Sequence, residues 1–329
     1  MYPRTFSVKY SGIDVEKNII VKPRYMALCH ADQRYYLGLR DATTLRKKLP
    51  MALIHECCGE VVYDKSGTFK IGQNVVMIPN VPGKFRSGEY ENYSKGAKFL
   101  SSGVDGFMQE FVAMQADRLV AFDNIPLQVA AISEFISVGM HAVERFDLCS
   151  HNYRDVIAVW GDGSLSYVVS CILKSIYKTS KIIVIGKNKT KLSYFSFADK
   201  TYLSDEMPDN LHIDHAFECV GSTGSFYAIN DIIKHINPQG TAVLLGVSED
   251  KVPINTRDVL EKGLTLVGSS RSGRADFEKA VDFLKNSDFQ QRLLAIIHES
   301  NPVKSIDDIH RVFAEDASTM FKTVFKWDL

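Results

Sequence analysis

The chain has 329 residues, 45% of them hydrophobic and 24% charged, which supplies a core for each of about two globular domains. Its 39 Lys and Arg balance 39 Asp and Glu, so bulk charge directs it to neither nucleic acid nor a membrane surface. An anionic ligand must then be held by a local basic cluster. The N-terminal segment Met1–Val15 has no apolar stretch of the signal-peptide kind, and no run approaches the roughly 18 apolar residues of a membrane span. Cys29, Cys57, Cys58, Cys149, Cys171 and Cys219 lack a disulfide-like spacing, so the expectation is a reduced, cytoplasmic protein.

The first 135 residues are rich in Gly, Pro and short β-type runs. Val61–Tyr63, Asn74–Ile78 and Phe111–Ala113 read as strands, separated by turns at Asp64–Gly67 and Pro82–Gly83. From about residue 136 the pattern changes. Val156–Trp160 is a short apolar run of the kind buried on both faces of a sheet. After the turn Gly161-Asp162-Gly163, residues Leu165, Val168, Val169, Ile172, Leu173 and Ile176 recur at helical spacing. Lys181–Ile185 reads as a strand, Lys189–Phe197 as a helix and Asp214–Cys219 as a strand. Ser222–Ile236 reads as an amphipathic helix ended near Asn237-Pro238, and Thr241–Leu245 and Leu264–Gly268 as two further buried strands. Such alternation implies an α/β fold with a parallel, doubly wound sheet. Ala275–Lys285 reads as a helix, and Lys322–Trp327 as a strand returning to the first domain. The expected organisation is a Rossmann domain of residues 136–272 inserted into a mainly β catalytic domain of residues 1–135 and 273–329. The active site is expected in the cleft between them.

Gly161-x-Gly163-x-x-Ser166 sits between a strand and a helix. The first glycine makes the tight turn, and the second lets the backbone approach a pyrophosphate. The helix start, at Ser164 and Leu165, offers free N–H groups to the anion. Ser166 in the third position loosens the usual helix–strand packing. An NAD enzyme places Asp or Glu at the end of the second strand to bind the ribose 2′-hydroxyl. Here Gly186 stands there, which removes the repulsion of a 2′-phosphate. Lys187, Lys189 and Lys191 supply positive charge, so the expected cofactor is NADPH.

Three segments carry candidate metal ligands: Cys29 in Leu28-Cys29-His30-Ala31-Asp32, the pair His55-Glu56, and Glu134 in Ser133-Glu134-Phe135. Zinc favours thiolate and imidazole, and a catalytic site adds water or a carboxylate. A lone Cys or His is more often a core residue, but together these segments resemble the medium-chain alcohol and polyol dehydrogenase superfamily. The resemblance implies a GroES-like catalytic domain, and a zinc site built from Cys29, His55, Glu56 and Glu134. Asp32 is then the residue that orients His55, and Lys322 the basic residue on the cofactor pyrophosphate. Glu134 resembles the polyol-dehydrogenase version, in which Glu replaces a Cys. Whether Glu56 or Glu134 meets the metal directly or through water is open. Residues 79–110 contain no cysteine, so one catalytic zinc and no structural zinc is expected. The position two after Cys29, often Ser or Thr in a proton relay, is Ala31, so the proton must travel through water or His30.

Longer strings narrow the resemblance. Ala31–Tyr36, Leu49–Glu56, Ser101–Gln109, Trp160–Gly163 and Gly268–Gly273 look like the ribulose-5-phosphate reductases of CDP-ribitol synthesis, along nearly the whole chain. The resemblance implies NADPH-dependent reduction of D-ribulose 5-phosphate to D-ribitol 5-phosphate. The product would feed a ribitol-5-phosphate cytidylyltransferase and a wall teichoic acid or capsule polymer. The substrate phosphate calls for arginine. Arg34 is the first candidate, followed by Arg271 and Arg274. A homodimer paired through Leu264–Gly268 is expected. The alternatives are a zinc polyol dehydrogenase acting on an unphosphorylated sugar, and a catalytically silent nucleotide-binding protein. A zinc-free quinone-reductase type would need none of the metal ligands.

Overall fold

The structure, a computed structural model, describes all 329 residues. The chain divides into two units: Met1–Ser137 with Arg271–Leu329, and Val138–Ser270. In chain order, the first unit begins with β1 (Ile19–Ala27), β2 (Glu56–Tyr63), β3 (Asn74–Met77), β4 (Asn80–Val81), β5 (Lys98–Phe99), β6 (Val112–Met114) and β7 (Leu119–Ala121). The second unit holds β8 (Val156–Trp160), β9 (Lys181–Gly186), β10 (Lys200–Leu203), β11 (Ile213–Glu218), β12 (Ile236–Leu244) and β13 (Thr265–Gly268). The returning chain adds β14 (Ile297–Val303) and β15 (Lys322–Trp327) to the first unit.

The first unit is built on a seven-stranded sheet in the order β14-β15-β1-β2-β3-β7, with β6 also paired to β1. Strand β1 is central, yet the sequence pattern did not mark it, because Pro23 argues against an interior strand. A register shift between Pro23 and Tyr25 accommodates the missing N–H. β15 runs antiparallel to β1, with Ala27 opposite Val324. Met26, Leu53, Val61, Val75, Phe107, Phe313 and Phe325 are buried together against the sheet. Helix His30–Tyr36 follows β1 directly.

The second unit is a six-stranded sheet in the order β10-β9-β8-β11-β12-β13, parallel throughout. Counted from β8 this is the doubly wound dinucleotide-binding order, whose direction reverses beside β8. Ala158, Trp160, Ile183, Ile185, Ala216 and Ala242 form its buried strand core, as expected of strands covered on both faces.

Two elements differ from their sequence reading. The helix expected over Lys189–Phe197 ends at Leu192. Phe195 and Phe197 pack on Tyr167 instead, with ring centroids at 5.1 and 5.2 Å, so tertiary burial overrides local helix propensity. Pro238 does not merely end a helix: helix Gly224–His235 passes at once into β12, which runs through it. No helix is long and apolar enough to cross a membrane.

Candidate functional site

The register of the first unit's sheet brings the metal-site segments to one end. Ala27, the last residue of β1, lies opposite Glu56 at the start of β2 and opposite Val324 in β15. Cys29 follows β1 by two residues, His55 precedes β2, and Lys322 opens β15. The Cys29 sulfur, an imidazole nitrogen of His55 and a carboxylate oxygen of Glu56 lie within 4.8 Å of one another.

Asp32 is the hub that fixes this arrangement. It is fully buried. Its Oδ2 accepts from Cys29 N–H at 3.1 Å, and its Oδ1 accepts from Ile54 N–H at 3.1 Å and from the Ser101 hydroxyl at 3.0 Å. His55 Nδ1 lies 3.8 Å from Oδ1, too far for a good hydrogen bond. Asp32 therefore acts mainly by tying together the backbones that carry Cys29 and His55. Ile54 has φ 71°, a rare conformation for a β-branched residue, and one that bears directly on how His55 is presented. The Ile54 carbonyl accepts from Phe107 N–H at 2.7 Å, and a Cβ on Gly106 would fall 2.3 Å from the same oxygen. Only glycine fits at 106.

Charges of both signs crowd this pocket. His55 is held well above its usual pKa: burial alone favours the neutral ring, but Asp32, then Cys29 and Glu134, outweigh it. Burial pushes the Glu134 carboxyl up to about 7, against the pull of His55 and with the help of Glu56. Lys322 is buried; its ammonium donates to Glu56 Oε1 at 2.5 Å and to the Leu28 carbonyl at 2.9 Å. Burial would discharge it, but the charge of Glu56, then of Cys29, holds the proton. Two of its three donors are committed to Glu56 and Leu28, so at most one N–H remains for the expected contact with the cofactor pyrophosphate.

The donor set fits zinc. Glu56 Oε1 is taken by Lys322, whereas the buried Oε2 has no hydrogen-bond partner. A thiolate, an imidazole and a carboxylate with one orphaned oxygen match a catalytic zinc site with an open fourth position. Glu134 is outside this trio and stands as a buried neighbour whose charge acts on His55 and whose own carboxyl is pushed up by Glu56. His30 is exposed at the start of its helix, and Ala31 brings no hydroxyl.

The three arginines separate. Arg34 lies on the His30–Tyr36 helix and donates to the Leu39 carbonyl at 3.4 Å. Arg274 is committed within the protein. Its guanidinium binds Glu278 through Nε at 2.8 Å and the carbonyls of Ala116 and Leu119 through Nη1, which leaves fewer donors for the expected substrate phosphate. Arg271 is exposed, with its guanidinium over the ring of Phe99 at 5.2 Å.

The second unit carries the glycine loop. Gly161 has φ 128°, and a Cβ there would meet the Cys219 carbonyl at 3.1 Å. Gly163 borders open space and precedes helix Ser164–Ile176, which has no side-chain N-cap. The first amides of that helix, from Ser164 and Leu165, are thus available to an anion. Ser166 is buried and donates to the Gly163 carbonyl at 2.9 Å. Gly186 has a reason beyond the missing carboxylate. A Cβ there would lie 2.6 Å from that of Asp162, whose Oδ2 accepts from Lys187 N–H and Asn188 N–H, both at 2.7 Å. Asp162 thereby shapes the loop that presents the exposed Lys187 and Lys189. Glu218 has a similar role at the end of β11. It accepts from the amides of Val220, Gly221 and Gly246 and from the Ser225 hydroxyl. The sequence reading missed both carboxylates, as well as Ile54 and Ser101; the only local signal was an acid flanked by glycines, as in Gly161-Asp162-Gly163.

A glycine-loop dinucleotide unit, and a mainly β unit presenting thiolate, imidazole and carboxylate to one ion, define a zinc-binding dehydrogenase. The model of the alcohol dehydrogenase GroES-like domain matches residues 15–124, and that of the zinc-binding dehydrogenases matches residues 181–286. The ribulose-5-phosphate reductase of Streptococcus pneumoniae is 55% identical, covering 99% of this chain and 95% of that protein. Ribulose-5-phosphate reductase 2 of Staphylococcus aureus is 48% identical, covering 99% and 97%. The crystal structure of S. aureus TarJ in complex with NADPH superposes with a TM-score of 0.88 at 43% identity, over 99% of this chain and 97% of that one. The chain belongs to the ribulose-5-phosphate reductase family of the zinc-binding dehydrogenases.

Proposed function

We propose that this protein reduces D-ribulose 5-phosphate to D-ribitol 5-phosphate with NADPH at a single catalytic zinc. The observation that carries the reading is the convergence of Cys29, His55 and Glu56 within 4.8 Å, with Glu56 Oε2 buried and unpartnered. Membership of the ribulose-5-phosphate reductase family supports the substrate. When bound, zinc supplies Lewis-acid polarisation of the C2 ketone, and NADPH the hydride.

The chain's own residues do the rest. Cys29, His55 and Glu56 hold the metal, Asp32 fixes the two backbones that carry the first two, and Lys322 balances Glu56. Gly161, Gly163 and the helix start at Ser164 and Leu165 receive the pyrophosphate. Lys187 and Lys189 lie on the loop after β9, beside Gly186, and supply the positive charge that favours a 2′-phosphate. Ala31 offers no hydroxyl relay, so the product's proton arrives through water or His30. Product would pass to a ribitol-5-phosphate cytidylyltransferase for cell-wall or capsule polymer synthesis, in the cytoplasm. β13 is the edge of its sheet and pairs only with β12; its open side suits a homodimer.

The test is NADPH oxidation followed by absorbance, with ribulose 5-phosphate and with ribulose, before and after chelation. The expected result is activity that chelation abolishes, zinc restores and NADH supports poorly. Full activity in the chelated protein, or equal turnover of ribulose, would overturn the reading.

A further inference from the structure

Six of the fourteen arginines of this chain are seen in ion pairs. Arg24, Arg118, Arg154, Arg257, Arg274 and Arg311 each meet a carboxylate. Arg271 is exposed and has no ion pair; its guanidinium lies over the face of Phe99 at 5.2 Å. Its φ is 58°, in the left-handed region that a long side chain seldom occupies. Backbone in that region persists only where the surroundings over-determine it, and it concentrates at ligand sites.

The surroundings do over-determine it. Ser272 is buried, with its hydroxyl 2.7 Å from that of Ser137, which in turn donates to the Glu134 carbonyl at 2.6 Å. Three residues beyond Arg271, Glu91 Oε1 accepts from Arg274 N–H at 2.6 Å, and a Cβ on Gly273, two residues beyond, would lie 2.7 Å from Glu91 Cγ. Glu91 is also gripped by both guanidinium nitrogens of Arg118, at 2.8 and 3.2 Å. Arg118 further holds the carbonyl of Asn80, the residue opposite Phe99 in the β4–β5 pair. One clamp, Glu91–Arg118, therefore sets both the segment that carries Arg271 and the strand that carries Phe99. Phe99 in turn meets the ring of His55 edge-on, with centroids 5.3 Å apart. The free guanidinium is thus one aromatic ring removed from a metal ligand.

We infer that Arg271, presented on the face of Phe99, is the specificity-determining residue that binds the phosphate of the substrate. The inference rests on the proposed substrate class, a pentulose 5-phosphate. In such a molecule the C2 carbonyl and the phosphorus are roughly 6 Å apart when extended, from five bonds of about 1.5 Å. That span suits a carbonyl directed at the His55 side of Phe99 and a phosphate directed at the Arg271 side. A planar guanidinium with all its donors uncommitted is the side chain best matched to a phosphate. The same chemistry would also suit a cofactor phosphate, so the experiment separates the two.

The experiment compares wild type with Arg271→Ala, Arg271→Gly and Arg271→Lys, each checked for zinc content. Glycine adopts the left-handed backbone freely, so Arg271→Gly guards against misfolding of the alanine variant. In both truncations KM for ribulose 5-phosphate should rise by at least about tenfold, the scale of one lost charge-assisted contact. KM for NADPH should hold, kcat/KM for ribulose 5-phosphate should fall towards that for ribulose, and Arg271→Lys should recover part of the loss. An unchanged KM for the sugar phosphate, or an equal rise in KM for NADPH, overturns the inference. If wild type does not turn over ribulose 5-phosphate, the proposed reaction fails, and inorganic phosphate then tests Arg271 directly. It should raise the Tm of wild type and not of Arg271→Gly; equal shifts overturn the assignment.

Discussion

Substituting Asp32 by asparagine tests whether the metal site is held by its scaffold as well as by its ligands. Three donors converge on the carboxylate: Cys29 N–H on Oδ2, and Ile54 N–H and the Ser101 hydroxyl on Oδ1. The amide has one acceptor oxygen, and both of its orientations fail. With its oxygen at the Oδ1 position, the Cys29 amide faces an NH2 group. With the oxygen at Oδ2, Ile54 N–H loses its acceptor, although the Ser101 hydroxyl can rotate. Either way one buried backbone donor is orphaned, at about 1–3 kcal/mol. The remaining bonds lose the charge that roughly doubles their strength. Together these destabilise the chain by about 2–4 kcal/mol. The freed segments are those that carry Cys29 and His55, so zinc affinity should fall by about 10–100-fold. Urea unfolding of the chelated protein measures the first effect, and competition for zinc with a chromophoric chelator the second. Should Asp32→Asn match wild type in both, Asp32 does not organise the site.

Two further outcomes follow from buried charge. Lys322→Met leaves Glu56 without its counter-ion, so the chelated protein should lose about 3–5 kcal/mol in urea unfolding; adding Glu56→Gln should recover part of it, and an unchanged midpoint in the single variant would show that the pair is neutral for stability. His215 is buried, and its Nδ1 accepts from Thr241 N–H at 3.1 Å, which requires the neutral ring. Burial, then the charges of His151 and Arg154, push it down to about 4. Above its ordinary value of 6.5 neither folded nor unfolded chain binds this proton; between 6.5 and 4 only the unfolded chain does. Stability should therefore fall with acidification through that window by about 1.4 kcal/mol per pH unit. His215→Gln keeps an acceptor and should flatten the wild-type slope, whereas parallel slopes would rule the histidine out as the cause.

What the sequence made legible depended on how local the signal was. Alternating apolar runs from Val156 to Gly268 expose a parallel sheet because each strand is buried on both faces and each helix follows within a few residues. The zinc ligands could be named because cysteine and histidine are scarce and chemically distinctive. β1 stayed hidden because Pro23 breaks its pattern, and only the register shift against β2 explains why a proline is tolerated there. The burial of Lys322 against Glu56 joins residues 266 apart, so nothing in either neighbourhood announces it.

The segment 79–110 shows the same limit from another side. Its lack of cysteine was plain in the sequence, but a segment with only two short strands must be fixed by something, and here an ion pair contributes. Arg118 and Glu91 form a bidentate contact in a largely buried setting, where a lost partner costs far more than at the surface. Burial alone would lower the pKa of Arg118, yet Glu91, then Asp117, raise it, so the guanidinium stays charged and the clamp stays closed. Arginine and glutamate are too common for this pair to be picked out among the 39 basic and 39 acidic residues of the chain. The clamp also holds Asn80 opposite Phe99 and caps the segment after Arg271. Fixing this segment and presenting an arginine beside the metal ligands are therefore one structural problem with one solution. Loss of Glu91 should weaken phosphate recognition even though Glu91 itself touches no substrate.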